Sequence, residues 1–342
     1  MWISRSSLLN CACALALLPG AGRSGNINFT TVDYPGSIET WVYDANDSGT
    51  IVGTQFVGSG YQGFSRDRSG TLSPIVYPGA SFTYPFGIND AGEVSGTFFF
   101  PPGQNGQGFV EIGGALTAFE VPGATYTDAY GISNAGAIVG DYGDSHASPP
   151  SAFMRSAGGA FTTFAYPGAP STQAAGVNDN GVVVGVYGTT GNDCNGFIWN
   201  SADGTFSSLT FPGASCTFPF AINGSGVIAG WYFLPSDVFQ AHPQGFVCQT
   251  VTSCETVEFP GTDYTRIYGL NDDGVLAGTY LNPSGLHGFI AAPNVPEPES
   301  FFLISGGIAS LCCLRRLGRS GRLKRPADSP ASPGCPPAGA DL

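Results

Sequence analysis

Between residues 28 and 291 the chain alternates short apolar runs with clusters of Asn, Asp, Gly and Pro. The run Gly181-Val182-Val183-Val184-Gly185-Val186-Tyr187 is β-branched, and turn residues precede it, which marks a strand. Asn178-Asp179-Asn180-Gly181 ahead of it is hairpin chemistry: Asn and Asp side chains bond nearby backbone, and Gly accepts a positive φ. The segment Phe153-Met154-Arg155-Ser156-Ala157-Gly158-Gly159-Ala160-Phe161-Thr162-Thr163-Phe164 predicts a second hairpin that turns at Gly158-Gly159. Pro-Gly then ends the strand, because Pro cannot donate to a ladder.

This succession occurs six times. Pro-Gly follows an aromatic or apolar residue at Pro35, Pro78, Pro122, Pro167, Pro212 and Pro260, at spacings of 43, 44, 45, 45 and 48 residues. A turn of the type Asn-Asp-x-Gly comes next, as in Asn46-Asp47-Ser48-Gly49, Asn89-Asp90-Ala91-Gly92 and Asn271-Asp272-Asp273-Gly274. A further Gly closes each turn segment, at Gly53, Gly96, Gly140, Gly185, Gly230 and Gly278. A small residue and Phe then recur at Phe64, Phe109, Phe153, Phe197, Phe246 and Phe289. Four short strands in about 45 residues make one propeller blade. The expected fold is therefore all-β, a six-bladed β-propeller over residues 27–292. The strand at Asn28–Val32 and the strand at Gly288–Ala291 are hairpin partners in every internal repeat. Pairing them builds one blade from both chain ends and closes the ring, leaving no open sheet edge.

Composition agrees with this and narrows the function. The 342 residues include 51 Gly and 26 Pro, and aromatics make up 13%. Residues 24–294 carry four Arg, no Lys and 21 Asp or Glu, a net charge of −17. Such a body repels phosphate backbones, so nucleic acid is not an expected partner. The basic residues gather at the C-terminus, in Arg315, Arg316, Arg319, Arg322, Lys324 and Arg325.

Both ends read as addresses. Arg5, the apolar stretch Leu8–Leu18 and the small residues Gly20, Ala21 and Gly22 form a signal peptide over residues 1–23. Asn10 before Cys11 is a poor fit to a lipoprotein signal. At the other end, a linker at 293–300 holds Pro296-Glu297-Pro298. An apolar segment at 301–314 follows, and then a basic, Pro/Ala-rich tail at 315–342. Fourteen helical residues span only about 21 Å, a short membrane crossing, and the basic cluster behind them places the tail on the cytoplasmic side.

The ordered set of Pro296, Glu297 and Pro298, an apolar segment, and Arg315-Arg316 resembles the PEP-CTERM sorting signal of Gram-negative bacteria. The resemblance covers about 22 residues from Val295 to Arg316. It implies an exosortase-type membrane protease as processing partner and membrane contact through the C-terminal helix before processing. It also implies a final location in the envelope, at the outer surface or in the extracellular matrix, in an exopolysaccharide or biofilm setting. The 26 residues after Arg316 exceed what the family carries there. The body, over 28–291, resembles more loosely the HAF-type extracellular repeat. Its Gly-Ile-Asn half matches in most copies, whereas the His of the family's His-Ala-Phe is read as absent throughout. That family lends no chemistry.

The body holds four Cys: Cys194, Cys216, Cys248 and Cys254. In an exported domain an even count suggests two disulfides. Cys248 and Cys254 flank one expected hairpin turn and so make a pair, which leaves Cys194 with Cys216. A Cys₄ zinc site is the alternative, with spacings of 22, 32 and 6 that are unlike a zinc ribbon.

No nucleophile elbow or phosphate loop is present, and His146, His242 and His287 sit in different repeats. A Ser–His–Asp set assembled across blades stays open. Asp47, Asp90, Asp179 and Asp272 share one turn position, with Asn134 and Gly224 in its place in the other copies. They are candidate Ca²⁺ ligands on one face, or plain turn formers. No other cofactor is expected. Aromatics next to Pro-Gly, namely Tyr34, Tyr77, Tyr166, Phe211 and Phe259, pack between blades or stack on sugar rings. The reading as a whole is a secreted surface or matrix protein with a non-catalytic structural or binding propeller, associated with exopolysaccharide. The alternatives are a glycan hydrolase or lyase, or a Ca²⁺-dependent adhesin. Carboxylates in the central channel that break the repeat symmetry favour the enzyme; symmetric small or hydroxylated residues favour the scaffold.

Overall fold

Each repeat folds into one four-stranded antiparallel sheet in a computed structural model that describes residues 27–58, 60–101, 105–188, 194–237 and 240–293. The expected signal peptide, the Pro296-Glu297-Pro298 motif, the 301–314 segment and Arg315-Arg316 lie outside the described residues. The chain opens with β1 (Ile27–Val32), whose partner comes last. Blade 1 is β2 (Glu39–Ala45), β3 (Ile51–Phe56), β4 (Tyr61–Arg66) and β5 (Leu72–Ile75). Blade 2 is β6 (Phe82–Ile88), β7 (Val94–Phe99), β8 (Gly106–Ile112) and β9 (Ala115–Phe119). Blade 3 is β10 (Tyr126–Ile132), β11 (Ile138–Gly143), β12 (Ser151–Arg155) and β13 (Phe161–Phe164). Blade 4 is β14 (Ser171–Val177), β15 (Val182–Gly188), β16 (Asn195–Asn200) and β17 (Thr205–Leu209). Blade 5 is β18 (Cys216–Ile222), β19 (Ile228–Phe233), β20 (Gln244–Thr250) and β21 (Ser253–Val257). Blade 6 is β22 (Thr265–Leu270), β23 (Leu276–Asn282) and β24 (Gly285–Pro293), completed by β1. Asn28 lies opposite Ala292 and Val32 opposite Gly288, so the ring closes with the strands the repeat singled out.

One irregularity repeats in every blade and explains the motif glycines. All six innermost strands carry a register shift near their ends: at Val42/Asp44, Pro85/Gly87, Ala129/Ile132, Ala174/Gly176, Pro219/Ala221 and Ile267/Gly269. A bulge of this kind re-aims a side chain and brings two backbones close. A Cβ at Gly53 would lie 2.1 Å from the Trp41 carbonyl oxygen, and one at Gly140 would lie 1.9 Å from that of Asp128. Only Gly fits. The recurrent Phe stands opposite this Gly in register, Gly53 against Phe64 and Gly140 against Phe153. All six of these Phe rings are 0–1% exposed.

Neighbouring blades are joined by two further devices. The residue before each Pro-Gly donates its backbone N–H to the hydroxyl of a Thr six positions on, in Tyr34–Thr40, Tyr77–Thr83, Val121–Thr127, Tyr166–Thr172, Phe211–Thr217 and Phe259–Thr265, all at 2.9–3.0 Å. Each of these Thr is at most 2% exposed. The aromatic ring at the same corner stacks on the second strand of the next blade: Tyr77 on Phe98, Tyr166 on Tyr187, and Phe259 on Tyr280, each with centroids 3.6 Å apart.

The turns between the first and second strands form an asparagine girdle. Asn46 Nδ2 donates to the Asn89 carbonyl, Asn89 to Ser133, Asn178 to Asn223, Asn223 to Asn271, and Asn271 back to Asn46, at 3.0–3.2 Å. Each of these Asn also accepts, through Oδ1, an N–H of its own turn, such as Val275 N to Asn271 at 2.8 Å. A buried Asn thus sets both its own hairpin and its distance to the next blade. Replacing Asn271 by Ala leaves the Asn46 carbonyl and the Val275 amide without these partners and is expected to cost about 2 kcal/mol. Ser133, whose hydroxyl reaches only its own turn at Ala137, should cost under about 1 kcal/mol when changed to Ala. Urea unfolding of the two variants checks both, and equal losses would contradict the girdle.

Candidate functional site

The bulge aims one residue per blade at the axis. Tyr43, Phe86, Tyr130, Phe220 and Tyr268 meet there in a closed collar of rings, with centroids 4.8, 5.1, 6.0, 5.2 and 5.4 Å apart around the circle. Blade 4 contributes the small Ala175 at this level, and the Tyr130–Phe220 contact spans the gap. On one side of the collar the channel opens through the asparagine girdle, with about 80 Å³ of free volume.

The four aspartates singled out as metal candidates stand on this rim. Asp90 Oδ1 accepts the Asp47 amide, Asp179 the Ala135 amide, Asp272 the Gly224 amide and Asp47 the Asp272 amide, at 2.6–3.0 Å. Asn134 does the same for Asp90 at 2.8 Å. Their carboxylates are thus engaged between blades. Burial and then the neighbouring Asp90 charge raise Asp47 above the ordinary carboxylate range. Among the described residues no group of three or more His, Cys, Asp or Glu is arranged to hold a metal.

One acid on the girdle side departs from the repeat. Asp44 occupies the bulge position where the other blades carry Gly87, Gly131, Gly176, Ala221 and Gly269. It is half-buried, and it accepts the Ile88 amide of blade 2 at 3.0 Å and the Ala45 amide at 2.9 Å. Burial pushes its carboxyl up to about 7. Its room comes from Gly269, where a Cβ would lie 2.5 Å from Asp44 Oδ1.

The opposite face is where the blades differ most. The innermost strands begin there, and so do the connections between second and third strands. These run from the two residues between Asn282 and Gly285 to the stretch between Phe233 and Gln244. At one inner-strand position the six blades present Trp41, Tyr84, Asp128, Gln173, Phe218 and Arg266. Asp128 and Asp141 are register partners on β10 and β11. Asp128 is 8% exposed, receives His146 Nε2 at 2.9 Å on Oδ2, and has a buried Oδ1 without a partner among the described residues. The Tyr126 hydroxyl donates to Asp141 Oδ2 at 3.3 Å. Burial, and then the adjacent Asp128, push the Asp141 carboxyl up to about 7. Arg266 lies over Trp231 and Tyr264 at 5.5 and 5.1 Å. Among the described residues its Nε and the Trp41 Nε1 are buried without hydrogen-bond partners.

All three His belong to this face. His146 reaches Asp128, His242 lies 3.6 Å from both Asp237 and Asp263, and His287 lies 3.0 Å from Asp33. His287 stands two residues before Phe289, so the sixth repeat keeps the His read above as absent from every copy. The structure joins Cys248 to Cys254 across β20 and β21, with Cα atoms 3.9 Å apart. It joins Cys194 to Cys216 at 4.9 Å, which ties a blade 4 connection to the first strand of blade 5. The Pro-Gly aromatics Tyr77, Tyr166, Phe211 and Phe259 each stack on a second-strand ring; Phe211 is buried and the other three are partly exposed. Sequence reading passed over Asp44, Asp128, Asp141 and Arg266; aligning the six repeats column by column shows each as the residue out of pattern.

No family model matches the chain, and no curated protein sequence does. Among solved structures it is similar to virginiamycin B lyase from Staphylococcus aureus, at 11% identity over 79% of this chain and 90% of that one, with a TM-score of 0.45. TolB from Acinetobacter baumannii gives 11% identity, 74% and 63% coverage and a TM-score of 0.48. Trypanosoma rangeli sialidase gives 9% identity, 81% and 57% coverage and a TM-score of 0.46.

Asp44 and Asp141 supply a pH test. Each keeps its proton in the folded protein up to about pH 7, whereas the unfolded chain loses it near the ordinary value of 3.8. The stability they give is therefore full below about pH 4 and falls as pH rises through about 7. Asp44→Asn and Asp141→Asn should each make the decline of unfolding free energy between pH 4 and 7 shallower. Urea melts at a series of pH values check this, and unchanged slopes would contradict it.

Proposed function

We propose that this chain is a secreted propeller that binds extracellular polysaccharide at the face opposite the asparagine girdle, and that it reaches the cell envelope through a PEP-CTERM-like signal processed by an exosortase-type protease. One observation carries the binding reading: the two faces of the ring are built by different rules. The girdle face repeats one hydrogen-bond scheme in five of the six blades. The other face gathers the longest connections and the larger group of polar residues that break the repeat, Asp128, Asp141, His146 and Arg266, among Trp41, Tyr84 and Tyr264, whereas the girdle side departs from it at Asp44 and Ser133. Variable loops on a rigid frame are where binding residues concentrate. Aromatic rings beside polar donors suit sugar rings, which present an apolar face and hydroxyl edges.

The Asp128–Asp141 pair supports a second reading, a glycan hydrolase or lyase. Two adjacent carboxyl groups, one of them pushed up to about 7, suit proton transfer at neutral pH.

Calorimetric titration of the protein with a polyuronate (alginate) and a neutral glucan (dextran) separates these readings. Binding to either that weakens at least about tenfold in Trp41→Ala or Arg266→Ala supports the first, since one lost contact of this kind is worth about 1.4 kcal/mol. New reducing ends or unsaturated products, lost in Asp141→Asn, support the second. No interaction with either polymer would overturn both.

Sorting is tested separately, by intact mass of the surface and released protein from the native host. The expected product starts near residue 22–24 and ends near Pro296–Pro298. A mass that retains the 301–314 segment and the basic tail would replace processing by a plain membrane anchor.

A further inference from the structure

The blade closed by both chain ends carries a second chemistry, distinct from the binding face reading. The β23–β24 connection is a two-residue turn, Pro283-Ser284, between Asn282 and Gly285. Pro283 fixes its own φ, and Asn282 Oδ1 accepts the Ser284 amide at 2.8 Å, so Ser284 sits on a held turn rather than a long loop. Three residues on, His287 stacks on Tyr280 with ring centroids 5.3 Å apart, its side chain 19% exposed. Asp33, 254 positions away in sequence, arrives beside it because β1 closes the ring.

The three side chains are in line. Both Asp33 carboxylate oxygens lie 3.0 Å from His287 Nδ1, and Ser284 Oγ lies 2.9 Å from Nε2. An aspartate on Nδ1 holds the proton there and leaves Nε2 free to accept the serine proton. Asn282 Oδ1, 2.5 Å from the same Oγ and 3.2 Å from Nε2, competes for that proton, and rotation of the hydroxyl alone moves it between the two acceptors.

The equivalent positions in the other blades argue against a merely structural pair. In place of His287 they carry Gln62, Gln107, Ser151, Asn195 and Gln244. Blade 2 makes the corresponding cross-strand contact with an amide and an acid, Gln107 to Glu120. That contact ties the strands without a titratable ring. Ser284 is exposed on the turn, so an ester of an exposed alcohol can reach Oγ from solvent.

We propose that Ser284, His287 and Asp33 form a nucleophile, base and orienting acid that hydrolyse small acyl esters. The Oγ proton passes to His287 Nε2 as Oγ bonds to the acyl carbon. The ester C–O bond breaks, and the leaving alcohol takes the proton from Nε2. Water then attacks the acyl-serine, giving its proton to Nε2, which returns it to Oγ as the carboxylic acid departs. Asp33 stays ionised throughout and keeps the tautomer.

The test is covalent labelling of the full chain with a fluorophosphonate, read by intact mass and peptide mapping. The expected result is one adduct on Ser284, none there in Ser284→Ala, and a labelling rate at least about tenfold lower in His287→Gln and Asp33→Asn. Ser284 is exposed on its turn, and an unchanged urea midpoint in Ser284→Ala shows that the fold is retained. Ser284→Cys adds a control: iodoacetamide should alkylate it faster with His287 present than in the His287→Gln background. No labelling of the wild type, or labelling that persists equally in Ser284→Ala, would overturn the proposal. These outcomes are independent of polysaccharide binding.

Discussion

A ring of blades has no free end at which to relax, so every seam must be satisfied at the same spacing. The buried asparagines do this. Each spends its oxygen on its own turn and its amide on the next turn's carbonyl, and a shift of either blade breaks one bond or the other. An Asp would keep the acceptor and lose the donor, and a Ser, as at position 133, keeps only the local bond. The seam after Ser133 is held instead by the outer ring, where Asp179 accepts the Ala135 amide. This dependence explains why the turn motif varies so little while the rest of each repeat drifts.

Once the girdle fixes the turns, the bulge follows. The chain must leave the innermost strand, turn, and return within a ladder, and the extra residue is absorbed just before the turn. The bulged residue projects to the axis, and the opposite strand needs Gly beneath the displaced carbonyl. The Phe opposite that Gly then fills the space that a side chain would have taken. Collar, glycine and core phenylalanine are thus three consequences of one backbone event. The channel is closed by packing, and chemistry is displaced to the far face, where the strands begin and the connections are free to lengthen.

Much of this was legible in the sequence. Pro-Gly corners, Asn-x-x-Gly turns and recurrent Phe gave six units, four strands each and the closing pair, because backbone demands force the same residue types in every copy. Less legible were contacts whose partners carry weak local signals. The six threonines that receive the Pro-Gly corner amides look like ordinary strand residues until the blades are assembled. Asp128 and Asp141 are 13 residues apart, and only the β10–β11 register makes them neighbours. Asp33 and His287 meet because the ring closes. The rim aspartates show the reverse case: their periodicity was plain, but the amides that occupy them belong to the preceding blade.

The acids also explain the chain's economy of positive charge. A Lys or Arg near the rim would compete with backbone amides for Asp47, Asp90, Asp179 and Asp272 and so loosen the seams. The described residues obey this: none of their Arg forms an ion pair with a carboxylate, and each acceptor on the rim is met by an amide. The one inner-strand Arg, Arg266, lies at the other end of the channel and is stabilised by the rings of Trp231 and Tyr264. Three of the four body Arg nonetheless stand on the girdle side, at the ends of third strands: Arg66 opposite Ile51, Arg68 against the Gly49 turn and Arg155 opposite Ile138. Because the rim carboxylates already accept backbone amides, these cations stay outside the hydrogen-bond scheme, and Arg155 is stabilised instead by the ring of Phe119.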